Sequence, residues 1–91
     1  MEEALNIIFP SGEAWDSNRD IVTFLSYVDG KKIICCITWE ALQDNFNCNN
    51  VEPIACFKAN RHQIEEKAEI LTRRSRFKKD GSIIILSGDG S

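Results

Sequence analysis

Few side chains in this sequence can do chemistry, and their spacing limits what they can do. His62 is the sole histidine, and the four cysteines are Cys35, Cys36, Cys48 and Cys56. A thiol–imidazole nucleophile needs both groups within hydrogen-bond reach. Cys56 and His62 stand six residues apart, and on a helix six steps turn the chain by about 600°, onto different faces. Cys48, Cys56 and His62 lack the spacing of a zinc knuckle, and no CxxC occurs. No phosphate-cradling glycine loop, HxxxH or Ser/His/Asp set is visible. The sequence therefore assigns no catalytic residue, no cofactor and no metal, and the chain reads as non-enzymatic.

Two cationic features remain as candidate binding residues. Arg61 interrupts an otherwise apolar helical stripe. Its stem can pack while the guanidinium reaches solvent or a carboxylate, or it can present a rigid anion or partner contact. Arg73, Arg74, Arg76, Lys78 and Lys79 put five cations into seven residues; the chain has net charge −3, so without them the remainder stands at −8. Positive side chains near a helix C-terminus favour its unpaired carbonyls. Five exceed that need, which points to an acidic partner or to nucleic acid. Against nucleic acid, Phe77 is the only aromatic interleaved for base stacking.

Composition sets the class. Ninety-one residues, 43% hydrophobic and 27% charged, describe one globular domain spanning residues 1–91. No run approaches the roughly 18 apolar residues of a membrane span, and Met1, Glu2 and Glu3 do not open a signal peptide. The expected location is cytoplasmic, where the cysteines should be buried thiols rather than a disulfide frame.

The elements that must position these residues follow from pattern. Residues 5–9 read as an edge strand stopped by Pro10. Residues 13–20 read as a loop, with Trp15 a lid over the core. Residues 21–28 and 31–38 flank Asp29–Gly30, the pair a type I′ hairpin turn favours. A two-residue loop pairs Val28 with Lys31, which places Val22, Phe24, Val28, Ile33, Cys35 and Ile37 on the core face. Ile21, Thr23, Leu25, Tyr27, Ile34 and Cys36 take the other face, too apolar to be fully wetted. A loop or another subunit is expected to cover part of it.

Thr38 can cap a short helix from Trp39 to about Phe46, with Glu40 in the first turn. Residues 51–76 read as one long helix, capped by Asn50, with Pro53 in its first turn and a stripe of Ile54, Phe57, Ile64, Ala68 and Leu71. Twenty-six helical residues span about 39 Å, whereas a chain of this length has a radius of gyration near 12 Å. That helix must stop early, bend or project. Residues 82–86 read as a strand covered on both faces and inside the sheet, and residues 88–91 as a mobile tail. The fold class is α+β: a mainly antiparallel sheet of edge strand, hairpin and C-terminal strand, with one short and one long helix on one face.

In order and spacing, these pieces resemble a family of small bacterial proteins known as domain of unknown function 1488. The resemblance rests on Phe9 and Trp15, then Val22, Phe24 and Gly30, then Cys35, Ile37 and Thr38 closing a strand. Glu40, Ala41 and Leu42 follow, then Phe57, Arg61, Ile64, Glu65 and Ala68, and finally Asp80, Gly81 and Asp89. It covers nearly the whole chain, with an asparagine-richer turn at residues 47–50. It implies a compact α+β fold and supplies no activity.

The function read from these observations is a non-enzymatic protein-interaction or regulatory module that binds a protein partner or itself. The alternative is a nucleic-acid-binding regulator using residues 73–79. A small thiol or hydrolytic enzyme ranks third, and neither a membrane nor a small-molecule substrate is indicated.

Overall fold

The computed structural model describes residues 5–90; Met1, Glu2 and Glu3, on which the leader expectation rests, and Ser91 of the expected tail lie outside them. Its centre is the hairpin of β3 (Ile21–Val28) and β4 (Lys31–Thr38). The turn adopts positive φ at both Asp29 (52°) and Gly30 (84°), as the Asp–Gly pair predicts. The register is the one expected, from Val28 opposite Lys31 to Ile21 opposite Thr38. Val22, Phe24, Ile33, Cys35 and Ile37 are buried accordingly.

β1 (Ile7–Ile8) and β2 (Ala14–Asp16) share the far edge of β3, β1 beside its C-terminal end and β2 beside its N-terminal end. The expected loop at residues 13–20 thus contains a strand, because Trp15 sits opposite Val22 and faces the core. There it packs edge-on against Trp39 at 6.3 Å, the lid expected of it.

α1 (Trp39–Phe46) starts where expected, its first turn capped by Thr38 Oγ1, which accepts from the Ala41 N–H at 3.0 Å. The long helix is two helices, α2 (Pro53–Ala59) and α3 (Arg61–Arg73). Asn60 makes the break. Its N–H donates to Cys56 O and Phe57 O, and its Nδ2 donates to Cys56 O at 3.0 Å. With those carbonyls taken and its own φ at −119°, the helix cannot continue in line. Glu52, without a side-chain bond, stands in the N-cap place expected of Asn50, and Pro53 is the first helical residue. The break stops the longest helical segment early, at the 13 residues of α3, in a molecule that measures 46 × 25 × 25 Å with a radius of gyration of 12.8 Å.

Breaking the helix still keeps its stripe inward. Phe57, Ile64 and Ala68 are fully buried and Leu71 nearly so, with Ile54 packed beside them. α3 closes with the N–H of Ser75 donating to Thr72 O and that of Arg76 to Leu71 O. This is a Schellman cap with Ser75 in the left-handed conformation at φ 55°.

β5 (Ile83–Ile85) corrects the expectation of an interior strand. It lies at the sheet edge and pairs parallel to β4, Cys35 opposite Ile83 through Ile37 opposite Ile85. The three helices form the crossover that a parallel pair requires. Ile83 and Ile85 face the core, whereas Ile84 faces away and is half-buried. The expected tail instead forms a 3₁₀ turn (Ser87–Gly90) against α1.

The thiol expectation fails for one pair: Cys48 and Cys56 are disulfide-bonded, with Cα atoms 6.0 Å apart. The turn after α1 folds back on the first turn of α2 and brings the two together. Cys35 and Cys36 are free and buried.

Candidate functional site: the open face of the sheet

All three helices pack on one side of the sheet, and among the described residues no helix covers the other side. Ile21, Ile34, Cys36 and Ile84 form the floor of a concavity of about 390 Å³ there. Arg19, Lys32, Lys78 and Asp80 stand around it. The loop leading to β5 screens part of the face, the loop cover expected of it; Ile34 remains 41% exposed.

Local structure fixes the rim. Asp16 Oδ1 accepts from the N–H groups of Asn18 and Arg19, and its Oδ2 pairs with Arg19 Nε at 3.0 Å. This small turn fixes Arg19 at the rim of the concavity, and the pairing lowers the Asp16 pKa. Asp80 Oδ1 accepts from Ser82 N–H and from Ser82 Oγ at 2.6 Å, which lowers its pKa and orders the entry to β5. Lys32 and Lys78 have no salt bridge among the described residues.

Neither free cysteine is a poised nucleophile. Burial pushes the Cys35 thiol up to about 11, and Cys35 Sγ lies 3.6 Å from Ser26 Oγ in the core. Burial also raises Cys36, although the nearby Arg19 and Lys78 cations oppose it. Cys48 and Cys56 are bonded to each other. His62 lies elsewhere, in a groove with Ile7, Phe9, Glu65, Glu66 and Glu69. Among the described residues no group of three or more His, Cys, Asp or Glu could hold a metal.

The structure separates the candidate cations. Arg61 adopts the packed and paired arrangement: its guanidinium lies 5.1 Å from the Phe57 ring centroid and pairs with Glu13 at 2.6 Å and Glu65 at 3.6 Å. It thereby ties the segment before β2 to the helical layer. Arg73 pairs with Glu69 at 2.9 Å along α3. Arg74 and Arg76 belong to the helix cap, and Lys79 is exposed in the following turn. Lys78 alone of the run lines the concavity, as Arg19 and Lys32 do. The pairing of the hairpin exposes the apolar face in sequence. Its rim is not legible there, because Lys78 reaches the face that carries Arg19 and Lys32 only through the parallel docking of β5.

The Glu13–Arg61 pair carries a pH prediction. The Arg61 hydrogen bond holds the Glu13 carboxyl below its ordinary value of 4.5, against the opposing effect of burial. Because the folded value lies below the unfolded one, this stabilisation is complete above the ordinary value and is lost as pH falls through the folded value. At pH 7, Glu13→Gln should cost about 1–2 kcal/mol, and the deficit should close under acid in paired urea titrations. Arg61→Lys should also lower the melting temperature, since one ammonium cannot serve two carboxylates and a ring face together.

A small α+β domain with its helices on one sheet face and only a loop screening part of the other is the class that these features define. The chain belongs to the family described as protein of unknown function (DUF1488), whose model matches residues 7–85. It is 38% identical over 66 residues to the uncharacterized protein YrdB of Escherichia coli (strain K12), covering 71% of this chain and 78% of that one. The YrdB protein of Shigella flexneri is 36% identical over the same shares. A crystal structure of a family member of unknown function from Shewanella loihica PV-4 superposes with a TM-score of 0.80 at 25% identity, covering 92% of this chain and 96% of that one. Among the described residues, no helix is long and apolar enough to cross a membrane.

Proposed function

We propose that the chain is a non-enzymatic protein-interaction module whose contact surface is the open sheet face, and that its partner presents acidic and apolar side chains. The observation that carries this reading is an apolar floor, exposed at Ile34, beside two lysines that make no salt bridge among the described residues. Lys32 and Lys78 have no salt bridge among the described residues and stand beside Ile34 and Ile84. Interfaces combine an apolar centre with a polar rim in this way. A photo-crosslinking residue in place of Ile34 tests it. A crosslinked protein partner that disappears with Lys32→Glu/Lys78→Glu supports the proposal. Crosslinking that is indifferent to the reversed charges, or absent in the native cytosol, overturns it.

One observation favours the nucleic-acid alternative: Phe77, 41% exposed, lies among Arg74, Arg76, Lys78 and Lys79. An exposed ring between cations suits base stacking. A gel-shift series with rising salt separates the readings, because retention at physiological salt would favour nucleic acid over a protein partner.

A further inference from the structure

β4 is eight residues long, yet β5 covers only its C-terminal half, from Cys35 to Ile37. In a two-residue hairpin the residues flanking the turn exchange both backbone bonds. Lys31 and Ile33 therefore direct their N–H and C=O groups toward β3, and Lys32 and Ile34 direct theirs toward the opposite edge. Among the described residues, no strand pairs with residues 31–34 on that edge. A groove of about 470 Å³ opens alongside it, lined by Lys31, Lys32 and Ile33 of β4 and by Phe77, Asp80 and Gly81 of the loop entering β5.

We infer that this uncovered half of β4 takes up an acidic, extended segment of a partner protein as an added strand, with Phe77 packing over it. The inference rests on the interaction reading above and specifies its mode. Charge selects the occupant. Lys31 and Lys32 are exposed and, like Lys78 nearby, have no salt bridge among the described residues. A second copy of the same edge would bring the lysines of both chains into one short seam, and like charges across a ladder disfavour that pairing. Glutamates on an incoming strand would meet them favourably. Asp80 is the one acidic group in the groove, and its carboxylate already accepts two hydrogen bonds from Ser82. The backbone groups supply sequence-tolerant bonding, and the groove admits the apolar side chains that alternate with the acidic ones.

The probe is a nine-residue peptide alternating glutamate and valine, titrated into the ¹⁵N-labelled protein. A lysine–valine peptide and a proline-interrupted acidic peptide are the controls. The expected result is slowed amide exchange and shifted resonances at Lys32 and Ile34 with the acidic peptide, absent with either control. Lys31→Glu/Lys32→Glu should weaken that binding at least tenfold. Shifts confined to Ile21, Cys36 and Ile84, without slowed exchange, would overturn strand addition and leave the docking face standing. Equal binding of the lysine–valine peptide would overturn the charge selection. No binding of the acidic peptide at millimolar concentration would remove both this inference and the acidic partner. Slowed exchange on raising the protein concentration alone would make the occupant a second copy and overturn the inference.

Discussion

Phe57→Ala is expected to lower stability by about 4 kcal/mol, the middle of the range for emptying a buried aromatic site. Phe57 is fully buried, its ring lies 5.0 Å from that of Phe24, and its face carries the Arg61 guanidinium. Alanine would leave a cavity between sheet and helices and remove the ring that Arg61 lies over. A domain of this kind holds about 5–15 kcal/mol in all, so the variant should be marginal. Urea denaturation followed by circular dichroism measures the loss. Phe57→Leu, which keeps most of the volume, should cost less than half as much. Because Phe57 and Arg61 touch, Phe57→Ala and Arg61→Lys should be non-additive. A loss below about 1 kcal/mol for Phe57→Ala would mean that the two layers do not meet at this ring.

The second large effect is redox. Reducing the Cys48–Cys56 bond releases a loop of sequence separation 8, and the loop-closure relation puts that at roughly 2.5 kcal/mol. For a domain of this size the loss corresponds to a fall in Tm of roughly 10–20 °C. The bond clips the start of α2 to the turn after α1, and Asn60 Nδ2 lies 3.8 and 3.9 Å from the two sulfurs. Reduction therefore loosens the junction that also sets the break between α2 and α3. Melting with and without dithiothreitol gives the comparison. Cys48→Ala/Cys56→Ala should melt near the reduced wild type and ignore the reductant. A wild-type Tm unmoved by dithiothreitol would contradict the disulfide's contribution.

How much of this was legible depends on the range of the interaction responsible. The hairpin register follows from Asp29 and Gly30, because a two-residue turn leaves no freedom in pairing. The start of α1 follows from the Thr38 hydroxyl, a contact three residues long. The inward stripe of Ile54, Phe57, Ile64, Ala68 and Leu71 follows from period alone. The break at Asn60 was hidden because 3.6-residue periodicity survives a change of axis when the same face stays inward. Asn60 itself is the local signal for it, an amide able to compete for the carbonyl of Cys56.

The candidate site divides along the same line. That one sheet face carries Ile34 and Cys36 is arithmetic on the hairpin, and it is visible without coordinates. Membership in the DUF1488 family likewise shows in the order of short elements along the chain. Which charges surround that face is a different kind of fact. Arg61, prominent in sequence because it interrupts the stripe, is claimed by Glu13 from 48 positions earlier. Four of the five cations in the basic run turn to the helix end or the turn beyond it, and Lys78 alone joins the concavity, with Arg19 and Lys32. Local sequence determined strands, caps and faces, because those depend on neighbours within a few residues. The tertiary structure decided the disulfide, the parallel β5 and the cationic rim, because each requires chain segments that sequence spacing leaves independent to be docked on one another.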